Sequence, residues 1–231
     1  MKIGIFTDAH YSSREVSCGC RYNNLSLRKT REAYEFFAAE GCDCVIFLGD
    51  LTDTEDSHAK ELQNLREICA LISSYPLPTY CLMGNHDAFV FEKEEFYAVT
   101  GFSAPEVVRA GDANLLFLDA CFFTSGRHYA PGDDDWTDTF LPNIRELEKR
   151  LAELDGDTYI FIHQNIDPAV HESHRLSNWR ETFDIIKSSG KVRAVYQGHY
   201  HGGCTSEYDG IKYITLPAMC EREGAYFTFD V

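Results

Sequence analysis

Two acids three residues apart, Asp50 and Asp53, follow Gly49 at the abrupt end of the apolar run Val45-Ile46-Phe47-Leu48. Residues of metal-binding type stand at comparable places elsewhere. Asp8 and His10 follow the opening stretch Ile3 to Thr7, Asn85 and His86 follow Gly84, His163 follows Ile160-Phe161-Ile162, and His199 and His201 follow Gly198. A single histidine at a strand end is ordinary, and a single Asp after Gly is usually a turn. Five such places on one rim of a sheet are harder to explain as structure, because each buried polar group there needs a partner. A pair of divalent cations is one partner that satisfies all of them. A carboxylate such as Asp50 can bridge two ions, and neutral imidazoles with an Asn carbonyl complete the shells without cancelling the charge. Two ions about 3.5–4 Å apart can activate a bridging hydroxide and clamp both oxygens of an in-line displacement at phosphorus. The mixed nitrogen and oxygen set suits manganese or iron, with zinc possible, and disfavours an all-oxygen calcium or magnesium site.

The elements that must hold these side chains are legible from the pattern. Residues 45–48 are continuous rather than alternating in hydrophobicity, which predicts a strand buried on both faces, as in a parallel sheet. Gly49 then turns the backbone and leaves Asp50 at the carboxyl rim, where ligands bind in open α/β sheets. Around it the chain predicts a strand at 2–7, a helix at 25–40 stopped by Gly41, a helix at 57–74 capped by Ser57, and a strand at 79–83. Further on, a helix is expected at 89–99, strands at 107–110 and 115–119, a loop at 122–136, and a helix at 142–154. Strands at 158–162 and 192–197 flank a polar loop at 164–176 and a helix at 179–188. The strand–helix alternation implies a parallel sheet with right-handed crossovers. The tail differs: 205–216 alternates around Asp209-Gly210, a hairpin signal, and 225–231 reads as a last strand. With no repeat or linker, residues 1–231 are expected to form one α/β domain with an antiparallel end.

Composition limits what such a site could serve. The chain has 231 residues, 44% hydrophobic and 25% charged, enough for a well-buried core. Its formal net charge of -16 argues against a nucleic-acid duplex as partner, since that affinity rests on Lys and Arg neutralising phosphates. A small phosphorylated substrate remains compatible, because bound cations reverse the local field. No apolar run approaches the roughly 18 residues that span a bilayer, and the opening residues read as a strand rather than a signal peptide. The nine cysteines do not form two Cys-x-x-Cys pairs, so reduced thiols in a cytoplasmic protein, with no membrane partner, are expected. Oligomeric state is not readable from the sequence.

Taken together, Asp8-Ala9-His10, Gly49-Asp50-Leu51-Thr52-Asp53, Gly84-Asn85-His86-Asp87, His163 and Gly198-His199-Tyr200-His201 resemble the motifs of the calcineurin-like metallophosphoesterases, in that family's order and over nearly the whole chain. The resemblance implies a four-layer α/β/β/α sandwich of mixed sheets with two metals at the strand ends. It implies that Asp8, His10, Asp50 and His201 hold one metal and Asp50, Asn85, His163 and His199 the other. It makes His86 the histidine that donates to the phosphate oxygen or leaving group, with Asp87 orienting it, and Asp53 a loop organiser. Thr54-Glu55 and Asp87 depart from the Ser/Thr protein phosphatase pattern, which has Arg-Gly and Glu there. The chain looks most like compact bacterial phosphodiesterases and the manganese-dependent ADP-ribose/CDP-alcohol diphosphatases, the latter around Asp8-Ala9-His10-Tyr11, Arg21-Tyr22 and Ser26-Leu27.

The expected activity is therefore hydrolysis of a phosphodiester or pyrophosphate bond in a small nucleotide-like substrate. A phosphomonoesterase with the same centre, or a scaffold that kept the fold without the chemistry, are the alternatives. Arg14 and Arg21 offer guanidinium forks for a non-bridging phosphate oxygen, with a solvated loop position the alternative for each. Tyr11, Phe89, Phe91 and Trp136 are aromatic side chains that could stack on a base, although core packing is the commoner role for such residues. His58, His171 and His174 read as surface histidines.

Overall fold

The computed structural model describes residues 1–103, 105–133, 135 and 137–231, so Trp136 lies outside the described residues. The first half of the chain runs β1 (Lys2–Phe6), α1 (Ser26–Ala39), β2 (Cys44–Phe47), α2 (His58–Ser73), β3 (Thr79–Cys81), α3 (Asn85–Val90) and α4 (Lys93–Thr100). The second half runs β4 (Val107–Ala110), β5 (Ala113–Leu118), α5 (Ile144–Glu153), β6 (Thr158–Ile162), α6 (Trp179–Ser189) and β7 (Val192–Gln197). It closes with β8 (Cys204–Tyr208), β9 (Ile211–Thr215) and β10 (Tyr226–Asp230).

Two sheets result, ordered β10-β1-β2-β3 and β4-β5-β6-β7-β9-β8. Strands β1, β2 and β3 are mutually parallel, as are β5, β6, β7 and β9, while β10, β4 and β8 pair antiparallel at the edges. Three apolar clusters define the layers. Ile3, Ile5 and Ile46 of the first sheet meet Leu115, Phe161 and Ala194 of the second. On the outer face of the first sheet, Phe6, Val45 and Phe47 pack against Ala33 and Phe37 of α1 and Ile68 of α2. On the outer face of the second, Ile160, Ile162 and Val195 pack against Leu147 and Leu151 of α5 and Ile186 of α6. The order of layers is α/β/β/α. The continuous apolar runs of β2 and β6 follow from this: both faces of each strand are covered. No helix among the described residues is long and apolar enough to cross a membrane.

Two expectations need correction. The helix expected at 89–99 is two helices, because Phe91 is extended (φ -125°, ψ 141°) and fully buried in the outer cluster of the first sheet. The hairpin turns at Asp209-Gly210 as expected, yet β9 joins the sheet parallel to β7. The last strand, antiparallel as expected, pairs with β1 in the other sheet. Ser57 precedes α2, but its side chain makes no capping hydrogen bond.

Candidate metal centre

Because β1, β2 and β3 run in one direction, their carboxyl ends share an edge. Asp8 N–H donates to the Gly49 carbonyl and His10 N–H to the Asp50 carbonyl, each at 3.0 Å, which locks the loops after β1 and β2 together. The second sheet joins across the same edge. The Nδ1–H of His163, which follows β6, donates to the Leu48 carbonyl at 2.9 Å, and the Gly198 N–H donates to the His163 carbonyl at 2.9 Å. The backbone is bent sharply here. Asp8, His10, Asp50 and His199 all have φ between 45° and 64°, a region non-glycine residues rarely enter and one that clusters at functional sites. Two glycines make the approach possible. A Cβ on Gly84 would lie 2.1 Å from Asp50 Oδ1, and one on Gly49 would lie 2.6 Å from the Gly84 nitrogen.

Each aspartate of the cluster divides its two oxygens. Asp8 Oδ2 accepts from the Thr7 hydroxyl at 2.6 Å and the His199 N–H at 3.1 Å. Its Oδ1 faces inward, 3.3 Å from His201 Nε2 and 3.6 Å from His10 Nε2. Asp50 Oδ1 accepts from the His86 N–H at 2.8 Å. Its Oδ2 stands between two imidazoles, 3.5 Å from His10 Nε2 and 3.2 Å from His163 Nε2. The Asn85 side-chain oxygen lies 3.2 Å from His163 Nε2, and the His163 and His199 rings are 5.2 Å apart between centroids. The structure thus brings together all the residues expected as ligands, around two points that share Asp50.

The donor set fits cations better than hydrogen bonding alone. Asp8 Oδ1 and His10 Nδ1 are buried and make no hydrogen bond with a described residue. His10 Nε2 and His201 Nε2 face each other at 3.2 Å. Outer partners fix the rings: His163 through Leu48, and His201 through Nδ1–H donation to Glu221 at 2.6 Å. Asp50 with His163 and His199, and His10 with Asp50 and His86, are groups whose ligand atoms lie within 4.8 Å of one another. The electrostatics follow from burial and proximity. Burial disfavours charge on Asp50, but the imidazoles of His163 and His86 outweigh it and hold the carboxyl far below its usual range. Burial pushes His10 down to about 4, whereas Asp50 overcomes burial at His163 and lifts it to about 9.

The acid beside His86 is not the one expected. Asp87 does not orient His86. Its carboxylate accepts from the backbone N–H groups of Leu51 (2.9 Å), Thr52 (3.1 Å) and Gly84 (3.1 Å), as an acid in a first helical turn does. The carboxylate beside His86 belongs to Asp53, with Oδ1 3.3 Å from Nδ1. Asp53 also organises its loop, accepting from Ser17 Oγ at 2.7 Å and Asn23 Nδ2 at 3.0 Å. The sequence could not separate the two, because both lie within the same motifs as their imidazole or its neighbours.

Above the cluster opens a cleft of about 410 Å³, lined beyond the metal-type residues by Arg21, His86, His174 and Tyr200. A second cavity of about 540 Å³ shares His86 and is lined by Phe89, Val90 and Pro131. Of the expected substrate contacts, Arg21 therefore reaches the cleft and Phe89 the cavity beside it. Arg14 does not: it bonds Asp56 at 2.8 Å and lies near Glu55. Tyr11 is buried in the outer core and donates to Glu67 at 2.6 Å, so it has no face to offer a base. Phe91 is likewise core. His174, expected on the surface, lines the cleft with its ring 5.5 Å from that of His199. Glu221 was not singled out at all, since a lone acid after a hairpin carries no sequence signal.

A family model described as calcineurin-like phosphoesterase matches residues 1–203. A Fibrobacter succinogenes protein named a probable cyclic nucleotide phosphodiesterase is 23% identical over 225 residues, covering 93% of this chain and 78% of its own length. The Haemophilus influenzae 3′,5′-cyclic adenosine monophosphate phosphodiesterase is 22% identical, covering 81% of this chain and 66% of its own. Among solved structures, a dimetal phosphatase from Danio rerio superposes with a TM-score of 0.84 at 18% identity, over 96% of this chain and 88% of that one.

Proposed function

This chain belongs to the calcineurin-like phosphoesterase family, and from that premise we propose that it is a two-metal enzyme hydrolysing a phosphodiester or pyrophosphate bond of a small nucleotide-like substrate. The observation that carries the reading is the position of Asp50 Oδ2 between His10 and His163, at 3.5 and 3.2 Å, which is where a bridging carboxylate must stand. In this reading Asp8, His10, Asp50 and His201 hold one cation, and Asp50, Asn85, His163 and His199 hold the other. Manganese or iron suits the mixed donors, and zinc is compatible with them. When bound, the cations supply Lewis acidity that activates water and draws charge from the phosphoryl oxygens.

The chain's own groups do the rest. His86, on the first turn of α3, stands edge-on to His10 with centroids 4.7 Å apart and borders both cavities. With Nδ1 toward Asp53, its Nε2 is left to donate to a phosphate oxygen or leaving group. Arg21, held 3.5 Å from Asp53, presents a guanidinium to the cleft for a non-bridging oxygen. The cavity bordered by Phe89 accepts the leaving group. A diester is supported by the names of the similar bacterial proteins. Residues 1–231 act as one domain in this reading, and nine free thiols support a reducing, cytoplasmic setting.

The test is hydrolysis of an aryl phosphodiester with added Mn²⁺, beside an aryl monoester. Asp50→Asn and His86→Ala should each lower the rate, His86→Ala by roughly 10²–10⁴-fold. Undiminished rates in both variants would sink the mechanism, and a strong monoester preference would transfer the reading to a phosphomonoesterase.

A further inference from the structure

Six of the cysteines are buried, and five of them, Cys42, Cys44, Cys69, Cys81 and Cys121, pack inside the apolar clusters as small hydrophobes do. Cys220 is fully buried and belongs to none of the three clusters. Its surroundings are polar and fixed. Its N–H donates to the Asp8 carbonyl at 3.0 Å, and the preceding Met219 N–H donates to the Thr7 carbonyl at 3.1 Å. Its own carbonyl accepts from Tyr22 N–H at 3.1 Å and from the buried Lys29 Nζ at 3.2 Å. The segment after β9 is therefore tied to the loop after β1 on both sides of the thiol. The Sγ that this clamp presents lies in one group with a ring nitrogen of His10 and one of His201, all within 4.8 Å of one another. Asp8 Oδ1, fully buried and without a hydrogen bond to a described residue, faces the same two imidazoles.

We infer that Cys220 is a further ligand of the cation position formed by Asp8, His10, Asp50 and His201, coordinating as a thiolate. The inference rests on the two-metal reading and adds to it a difference between the two positions. The Asp50, Asn85, His163 and His199 position has only nitrogen and oxygen donors. A sulfur on the other side makes the first position softer, favouring zinc or iron over manganese or magnesium there. Coordination replaces the S–H bond by a sulfur–metal bond, and the displaced proton leaves to solvent. Glu221, next in sequence, already holds His201 through Nδ1, so one short segment sets two donors of the same ion.

Cobalt(II) reads this without reference to activity. Full-length protein is stripped by chelation and loaded with two equivalents of Co²⁺. Visible d–d bands report that the sites fill, and a near-ultraviolet sulfur-to-cobalt charge-transfer band reports a thiolate ligand. The band is expected in wild type and in a Cys18→Ser/Cys20→Ser double variant, and is expected to vanish in Cys220→Ser while the visible bands persist. Cys220→Ser should also lower the preference for Zn²⁺ over Mn²⁺ by about tenfold or more. Visible bands without the near-ultraviolet band in wild type overturn the inference and leave the two-metal reading standing. Survival of the band in Cys220→Ser overturns it too. Failure of wild type to take up Co²⁺ overturns both. Should Cys220→Ser not fold, the wild-type and double-variant spectra decide.

Discussion

Asp53, in the loop after β2, and Asp87, in the first turn of α3, are both buried carboxylates, and replacing each by asparagine should have different consequences. Asp53 stands 3.3 Å behind His86, so Asp53→Asn should lower kcat by roughly 10–100-fold while metal content stays near wild type. Asp87 accepts three backbone amides and touches no imidazole of the centre, so Asp87→Asn should act on stability. A weakened acceptor for buried amides costs about 1–3 kcal/mol. Steady-state kinetics beside thermal melts separate the two, and a stable but inactive Asp87→Asn would reverse the assignment. A second contrast concerns Asp50, which in the proposed two-metal centre is shared by both ion positions. Asp50→Asn should reduce bound metal at both, whereas His10→Ala or His163→Ala should mainly empty one, as elemental analysis can show. At this scale the sequence told where the residues converge but not which acid serves which histidine. Motif spacing places Asp53 and Asp87 near His86; the direction of a carboxylate is decided by the turn after Gly84 and by the amides of Leu51 and Thr52. Arg14, Tyr11 and His174 make the same point: only packing tells whether such a side chain faces the cleft, its own acids or the core.

Among the elements, the loop after β5 is tied to α4 by a small ionic cluster. Asp119 lies 2.5 Å from Lys93 Nζ and 3.4 Å from His128 Nε2. Burial opposes ionisation of Asp119, yet His128 and Lys93 outweigh it and bring the carboxyl from 3.8 down to about 2. A folded-state value below the unfolded one means the stabilisation is fully present above about 4 and is lost as pH falls through about 2. The shift corresponds to about 2 kcal/mol. Urea denaturation should therefore show wild type more stable than Asp119→Asn near neutral pH, with the gap closing between about pH 4 and about pH 2. A gap unchanged by pH would show that packing, not charge, ties the loop. The parallel strands were legible because both their faces are covered, which leaves unbroken apolar runs. The break between α3 and α4 was hidden because Glu92 to Glu95 continues a helical composition across it. The pairing of β10 with β1 was hidden too, since an edge strand's partner at the far end of the chain leaves no local trace.

Over the whole molecule, two sheets packed face to face, each with its own helical layer, carry their strand ends to a common edge, and what they bring there is mostly charge and imidazole. Asp8, His10, Asp50, Asn85, His163 and His199 are all nearly inaccessible to solvent, and such groups are costly to bury unless a partner satisfies them. The two sheets contribute different members: Asp8, His10, Asp50 and Asn85 follow strands of one, His163, His199 and His201 strands of the other. The cation pair of the proposed function would thus tie the halves of the sandwich together as well as serve the chemistry. Any ligand that binds only the folded state stabilises it by mass action, by about 2.7 kcal/mol at a hundredfold excess over Kd. For a chain of this size that corresponds to a rise in Tm of roughly 5–10 °C. Melting of chelator-stripped protein should therefore shift upward on adding Mn²⁺, and by less with Mg²⁺, which suits the imidazole-rich set poorly. Asp50→Asn should flatten most of the shift, because it weakens both positions at once. Equal melting temperatures for stripped and Mn²⁺-loaded wild type would mean that the buried cluster satisfies itself without ions, and the metal centre would have to be abandoned.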